Sequence, residues 1–244
     1  MTDRLLIFAI GLMFSFLHWG APPQKPADAG GLDAILQKMD ATAAGFRSTQ
    51  AEFEWDNYEK VIGEVDDIET GTVYYRRTGK AIEMMAEVKK TGTSLSDLKP
   101  YPKYVLFSEG KIRLYQPKPD QVTIWDLGKH AADFETYLVL GFGGSGQDLQ
   151  KAFDVTYLGS EAANGAAAGK LQLVPKSERV RNTFNKILLW VDPDKGICVQ
   201  QQFFDPLGNY RLTKYSAIQV GKKIPDSVFR LNTTGKTQTI SPNG

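Results

Sequence analysis

A two-residue alternation of apolar and polar side chains returns along most of this chain, and it restricts the possible folds more than any other feature. Ala51, Phe53 and Trp55 alternate with Gln50, Glu52, Glu54 and Asp56, the pattern of a strand with one wet face and one apolar face. The same period recurs in Val73, Tyr75 and Arg77, in Ile82, Met84, Ala86 and Val88, and in Val122 with Ile124. Later strands are expected from Leu171 with Leu173, from Ile187, Leu189 and Val191, and from residues 197–204 and 209–218. Turn sequences carrying Gly or Pro, at residues 108–111, 192–196 and 205–209, separate strand-like runs as hairpin connections do. The pattern predicts an antiparallel meander in which neighbours in sequence pair in space.

Two segments break the period. Leu32, Ile35, Leu36 and Met39 fall at the i, i+3, i+4, i+7 spacing of one helix face, so a helix should lie there against something apolar. Between Asp133 and Phe153 the pattern turns helical again: Phe134, Tyr137, Leu138 and the run to Phe142 precede Gly143-Gly144-Ser145-Gly146 and a polar helical piece over 147–152. A helical interruption of a β-meander is a candidate lid, with the glycine run as its hinge. Residues 63–69 read as a polar loop and the Ala-rich stretch 161–169 as a hairpin loop.

Length and composition narrow the class. A chain of 244 residues, 42% hydrophobic and 23% charged, is long enough for one large domain with an ordinary core. A net charge of +1 gives no support to nucleic-acid binding, which draws on a basic excess. Residues 5–17 form an apolar run of about 13 residues behind Arg4, short of the roughly 20 needed to span a bilayer and suited to a signal peptide over residues 1–29. Ala27-Asp28-Ala29 has the small-x-small form of a cleavage site, and Trp19-Gly20-Ala21 offers an earlier cut; an uncleaved membrane anchor is the alternative. Residues 30–244 are then a single exported domain, with residues 22–31 as a linker at its start.

Few groups are available for covalent chemistry. Cys198 is the only cysteine, which rules out a disulfide scaffold and reads as a small buried hydrophobe. His130 is the one histidine beyond the leader, so no Cys/His zinc cluster can form, a Cys-His pair would require Cys198 and His130 to meet in the fold, and a Ser-His-Asp triad would depend on His130 alone with no G-x-S-x-G elbow before a helix. Asp66, Asp67 and Glu69 could supply a carboxylate pair, which leaves a two-carboxylate glycosidase open as a rival reading. No catalytic residue, metal ligand or cofactor is otherwise expected.

In their order and spacing, several short motifs resemble the LolA-like periplasmic carriers of outer-membrane lipoproteins. They are the amphipathic helix ending near Phe46, the Ala51/Phe53 strand, Gly71-Thr72-Val73-Tyr74-Tyr75-Arg76-Arg77, Phe107-Ser108-Glu109-Gly110-Lys111 with Tyr115 and Pro117, and Gln121-Val122. Residues 138–141, Leu171-x-Leu173-x-Pro175, Ile187-x-Leu189-x-Val191-Asp192, residues 205–209 and Ile224-Pro225 with Phe229 continue the series. The resemblance implies an α+β fold, mainly β: an unclosed antiparallel half-barrel with a helical lid on its concave face. It also implies a monomer in the periplasm that carries an acylated lipoprotein or lipid, loaded by an inner-membrane release complex and emptied onto an outer-membrane acceptor. The arginine that holds such a lid shut corresponds to Arg77. Thr78 replaces the Pro usual after that arginine, Ile82 and Met84 replace an aromatic pair, and Glu109 replaces the Asp of the turn, so the pocket is shaped for a different lipid.

On that reading, Phe53, Trp55, Val73, Tyr75, Ile82, Met84, Leu114, Leu138 and Leu140 line an acyl-chain cavity. Alternation alone does not separate a cavity from a core filled by the protein's own side chains, since both bury one face. An envelope-stress sensor or protein-interaction module on the same half-barrel also remains open.

Overall fold

The computed structural model describes residues 29–242 except 80, 139 and 141; the expected leader lies outside the described residues. Helix α1 (Ala29–Gly45) is followed by six strands, β1 (Ser48–Glu59), β2 (Glu64–Thr78), β3 (Ala81–Gly92), β4 (Lys99–Ser108), β5 (Lys111–Gln116) and β6 (Gln121–Asp126). A 3₁₀ turn over Gly128–His130 leads into α2 (Ala131–Leu138) and α3 (Gly146–Ala152). The second run of strands is β7 (Phe153–Ala163), β8 (Ala166–Pro175), β9 (Lys186–Asp192), β10 (Ile197–Phe204) and β11 (Tyr210–Val220), with α4 (Glu178–Arg181) between β8 and β9. A second 3₁₀ turn, Asp226–Phe229, and the short β12 (Gln238–Ile240) complete the described chain.

All twelve strands form one open sheet in the order β12-β6-β5-β4-β3-β2-β1-β11-β10-β9-β8-β7. Two meanders therefore meet at a seam where β1 pairs with β11, from Thr49 opposite Val220 to Tyr58 opposite Tyr210. This is the expected unclosed half-barrel with helices over one face. The meander prediction holds within each half and fails in two places. The β1–β11 seam joins strands far apart in sequence, and β12 lies parallel to β6.

Two loops expected from composition are strands. The stretch over residues 63–69 becomes β2 from Glu64 onward, because Val65 and Ile68 pair with Tyr58 and Asp56 of β1 even though polar residues crowd around them. The Ala-rich stretch is the tip of the β7–β8 hairpin, whose turn shrinks to Asn164-Gly165, both at positive φ (51° and 81°). That is the two-residue turn that matches strand twist. The alanines around it are ladder residues, and Ala163 and Ala168 are buried in a small outer cluster with Trp190 and Val199.

The inner face is covered unevenly. Ile35, Leu36 and Met39 of α1 and Leu149 of α3 close onto Leu171, Leu173, Ile187, Leu189 and Val191, making a dense core over the β7–β10 half. Gly146 allows this contact, since a Cβ there would lie 2.6 Å from the Leu36 carbonyl oxygen. Ser145 caps α3, its hydroxyl oxygen accepting the Asp148 N–H (3.0 Å) and its hydroxyl donating to the Asp148 carboxylate (2.7 Å), a reciprocal arrangement that also holds the Asp148 carboxyl below the usual range. Over the β1–β5 half, Phe46, Phe53, Val73, Tyr75, Met84, Ala86, Phe107, Phe142 and Tyr215 form a second core. A smaller cluster lies on the outer face, where Ile224 and Phe229 of the C-terminal segment cover Met85 and Leu106. Arg76 anchors that segment by pairing with Glu83 (2.7 Å) and Asp226 (2.5 Å) and lying 4.3 Å over the Phe229 ring.

Candidate functional site

Between the two inner cores the sheet is not filled. A cavity of about 530 Å³ lies under α2, bounded below by Trp55, Tyr75, Met84, Val105, Ile112, Gln201, Phe203, Thr213 and Tyr215 and above by Phe134, Tyr137 and Leu138. This volume falls within the roughly 300–1,000 Å³ of small-molecule sites. Its wall is mostly aliphatic and aromatic. α2 packs through its rings among others, with Phe134 tilted on Phe107 at 5.5 Å and Tyr137 edge-on to Phe153 at 5.6 Å.

Polar groups interrupt the apolar floor. The Gln201 amide donates to the Tyr215 hydroxyl at 2.6 Å, and the Tyr75 phenol lies beside Tyr215 on the same floor. Burial pushes the Tyr75 phenol up to about 12 and the Tyr215 phenol well above its ordinary value. Both rings are neutral hydrogen-bonding surfaces at any physiological pH. Phe142, buried just beyond α2, packs at 5.3 Å on Tyr75 and 4.7 Å on Tyr215. One end of the cavity is polar: Tyr58, Glu59, Asp205, Asn209, Tyr210 and Arg211 form its rim where the β1–β2 and β10–β11 hairpins lie side by side.

The nine side chains expected to line the cavity are distributed over several environments. Trp55, Tyr75, Met84 and Leu138 border it. Phe53 and Val73 share the face but lie in the packed core beside it. Opposite Phe53 stands Gly71, where a Cβ would meet the Phe53 ring at 2.9 Å, so the ring lies down on the sheet and stacks on Trp55 at 4.1 Å. Leu140 belongs to the other core, under α1 and α3. Ile82 is buried opposite Arg77, and Leu114 is half-buried between Val105 and Thr123; neither borders the cavity. The lining residues that the sequence did not single out include Val105, Ile112, Phe134, Tyr137, Phe203 and Tyr215. Phe134 and Tyr137 sit in the predicted lid, and Phe203 and Tyr215 in predicted strands whose inner face was not assigned.

Arg77 lies on the inner face with its guanidinium donating to the Gly143 carbonyl at 3.1 Å and 5.5 Å from the Phe46 ring centroid. Gly143 belongs to the connection between α2 and α3, and its φ of +104° together with the Phe46 ring 2.5 Å from where a Cβ would be leaves room for glycine alone.

The remaining chemistry-bearing groups are engaged elsewhere. Cys198 is fully buried, its thiol pushed up to about 12 by desolvation, with Sγ donating to the Gln200 carbonyl. His130 is half-buried beside Arg179. Among the candidate carboxylates, Glu69 is buried against Lys103, Asp67 accepts from Thr91 (2.6 Å) and Asn57 (3.3 Å), and Asp66 points to solvent. Among the described residues no group of three or more His, Cys, Asp or Glu is placed to hold a metal ion, and no helix is long and apolar enough to cross a membrane.

No protein-family model matches the sequence, and no curated protein matches it either. Solved structures do. The crystal structure of MucB is similar with a TM-score of 0.50 at 13% identity, over 87% of this chain and 66% of that one, so this chain spans just under two thirds of its length. The Mycobacterium tuberculosis lipoprotein LppX is similar at 0.48 and 13% identity, over 81% of this chain and 98% of that one. A LolA superfamily protein from Nitrosomonas europaea is similar at 0.37 and 14% identity, over 82% and 97%. At such identities the likeness reaches the fold alone, an open, mainly antiparallel half-barrel with helices over one face.

Proposed function

We propose that this chain is an exported carrier that takes up the acyl chains of a lipid or lipoprotein in the cavity under α2 and delivers them to a membrane acceptor. The observation that carries the reading is the cavity itself: about 530 Å³ of space bounded by aromatic and aliphatic side chains, in a protein whose other inner half is densely packed. An apolar space of this size in a native domain is costly to leave unfilled. Each methylene moved into it from water gains about 0.8 kcal/mol, so part of one acyl chain supplies several kcal/mol. The neutral Gln201, Tyr215 and Tyr75 side chains add hydrogen-bonding groups without a charge that would repel hydrocarbon. Release requires a cover that lifts, and α2 is placed to be that cover, since Phe134, Tyr137 and Leu138 roof the cavity and the Arg77 bond holds the connection behind them. The leader expected at residues 1–29 would place the carrier in the periplasm.

Native mass spectrometry on protein purified from the periplasm of an expressing bacterium tests this. The expected spectrum contains a lipid adduct that a pyrene-labelled fatty acid displaces. Protein that is free of lipid and takes up no labelled fatty acid in titration would overturn the reading.

A further inference from the structure

The hairpins that form the polar rim of the cavity carry side chains that the fold does not use. Val61 and Ile62 at the tip of β1–β2 are 94% and 56% exposed, and Leu207 at the tip of β10–β11 is 75% exposed. β-branched and leucine side chains are poor choices for tight turns, where Gly, Asn, Asp and Pro serve the backbone. The turns are nevertheless well fixed. The Gly63 N–H donates to the Glu59 carbonyl at 2.9 Å, and the Asp205 carboxylate accepts the Leu207 and Asn209 N–H groups at 2.9 Å each. Asn209 Oδ1 accepts the Lys60 N–H at 3.0 Å, tying the two tips together. Behind them the Tyr58 and Tyr210 rings stack at 4.5 Å, nearly parallel. A firm double tip thus holds three apolar side chains in water, beside the opening that Tyr58, Glu59, Asp205, Asn209 and Tyr210 line.

We infer that this double tip inserts Val61, Ile62 and Leu207 into the surface of a phospholipid bilayer, so that the cavity mouth opens directly onto the lipid it loads or unloads. The inference rests on the carrier reading for its purpose but on the hairpin tips for its observation. A bilayer suits a narrow convex tip better than a protein does, because a stable protein interface needs on the order of 1,000 Å² of matched surface. Tyrosines behind an apolar tip match the headgroup level, where their rings and hydroxyls find both media. The charges at the tip, Glu59, Lys60, Glu64, Asp205 and Arg211, are mixed in sign, so apolar contact and not surface charge drives the docking.

The buried Cys198 makes a clean test possible, because a thiol introduced on the surface is the only one that labels in the folded protein. Ile62→Cys and, at the opposite end of the sheet, Asp194→Cys are labelled with the environment-sensitive dye NBD in the full exported chain. Each is mixed with phosphatidylethanolamine/phosphatidylglycerol vesicles. The expected result is a blue shift and a several-fold rise in emission from position 62, none from position 194, and little change between low and high salt. A second variant, V61S/L207S in the labelled I62C background, should reduce the response at least tenfold. No response at position 62, an equal response at both positions, or a response untouched by V61S/L207S would overturn the inference. Uptake of pyrene-labelled fatty acid without vesicles is measured in parallel on the parent chain. Its loss with the position-62 response retained would defeat the carrier reading and leave the membrane contact standing.

Discussion

Arg77 is a cation on a face otherwise made of Val73, Tyr75 and Met84, and its guanidinium donates to a carbonyl on the connection behind α2, within electrostatic reach of the Asp148 carboxylate. A charged donor on a half-buried carbonyl contributes about 1.5–3 kcal/mol, enough to bias an open–closed equilibrium by an order of magnitude or more without governing the fold. Arg77→Leu is expected to lower the melting temperature by only a few degrees while speeding release of a pyrene-labelled fatty acid at least tenfold in stopped-flow; unchanged release would remove Arg77 from any role in closure. Cys198, Tyr75 and Tyr215 set the alkaline limit of stability. In the unfolded chain they lose protons near 9 and 10, whereas in the fold the Cys198 thiol and the Tyr75 phenol hold theirs to about 12 and Tyr215 well beyond its ordinary value. Their raised folded values make their contribution complete below pH 9, and above it the unfolded state binds fewer protons, so stability falls through pH 9–12. The loss is on the order of a few kcal/mol. Urea titrations at pH 8, 10 and 11 should show it, with tyrosinate absorbance from these two rings appearing only on unfolding.

At the scale of elements, the seat of Phe53 on Gly71 decides how β1, β2 and β3 approach one another. A Cβ at Gly71 would meet the Glu87 carbonyl oxygen at 1.9 Å, and that atom is backbone. Gly71→Ala is expected to cost about 3 kcal/mol in chemical denaturation, while Gly45→Ala, where nothing lies within 4 Å, should change stability by less than 1 kcal/mol. Alternation made the strands of the β1–β3 hairpins legible, and it gave the inner face of Trp55, Tyr75 and Met84. It could not say which inner residues meet a neighbour and which meet space, because that depends on what lies above the sheet. Phe53 and Val73 have the same period as Trp55 and Tyr75 and are packed, whereas Trp55 and Tyr75 border the cavity. The β7–β8 hairpin was expected over residues 161–169, but how far its strands run into that stretch was hidden for another reason. Alanine carries little periodic signal, so the ladder from Glu161 to Gly169 reads as loop until its Asn-Gly turn is seen at positive φ. β12 was illegible because three exposed residues, added in parallel to β6, leave no face to bury.

Across the whole molecule, dense packing on one inner half and open space on the other separate what stabilises the fold from what the cavity holds. Met84→Trp places a larger ring into the opening from the sheet side. It is expected to cost about 1–3 kcal/mol through overpacking yet leave the β7–β10 core untouched. In a fluorescence titration its affinity for a pyrene-labelled fatty acid should fall at least tenfold, and an unchanged affinity would show that acyl chains bind elsewhere.

The seam between β1 and β11 also dictates an order of events during synthesis. A chain made from its N-terminus completes β1 about 150 residues before Tyr210, so the first meander must form with one long border bare. Closing that gap late is an entropic handicap that local hairpins do not share. Until β11 arrives, the nascent protein carries an unpaired strand edge in need of shelter, much as its cargo would be.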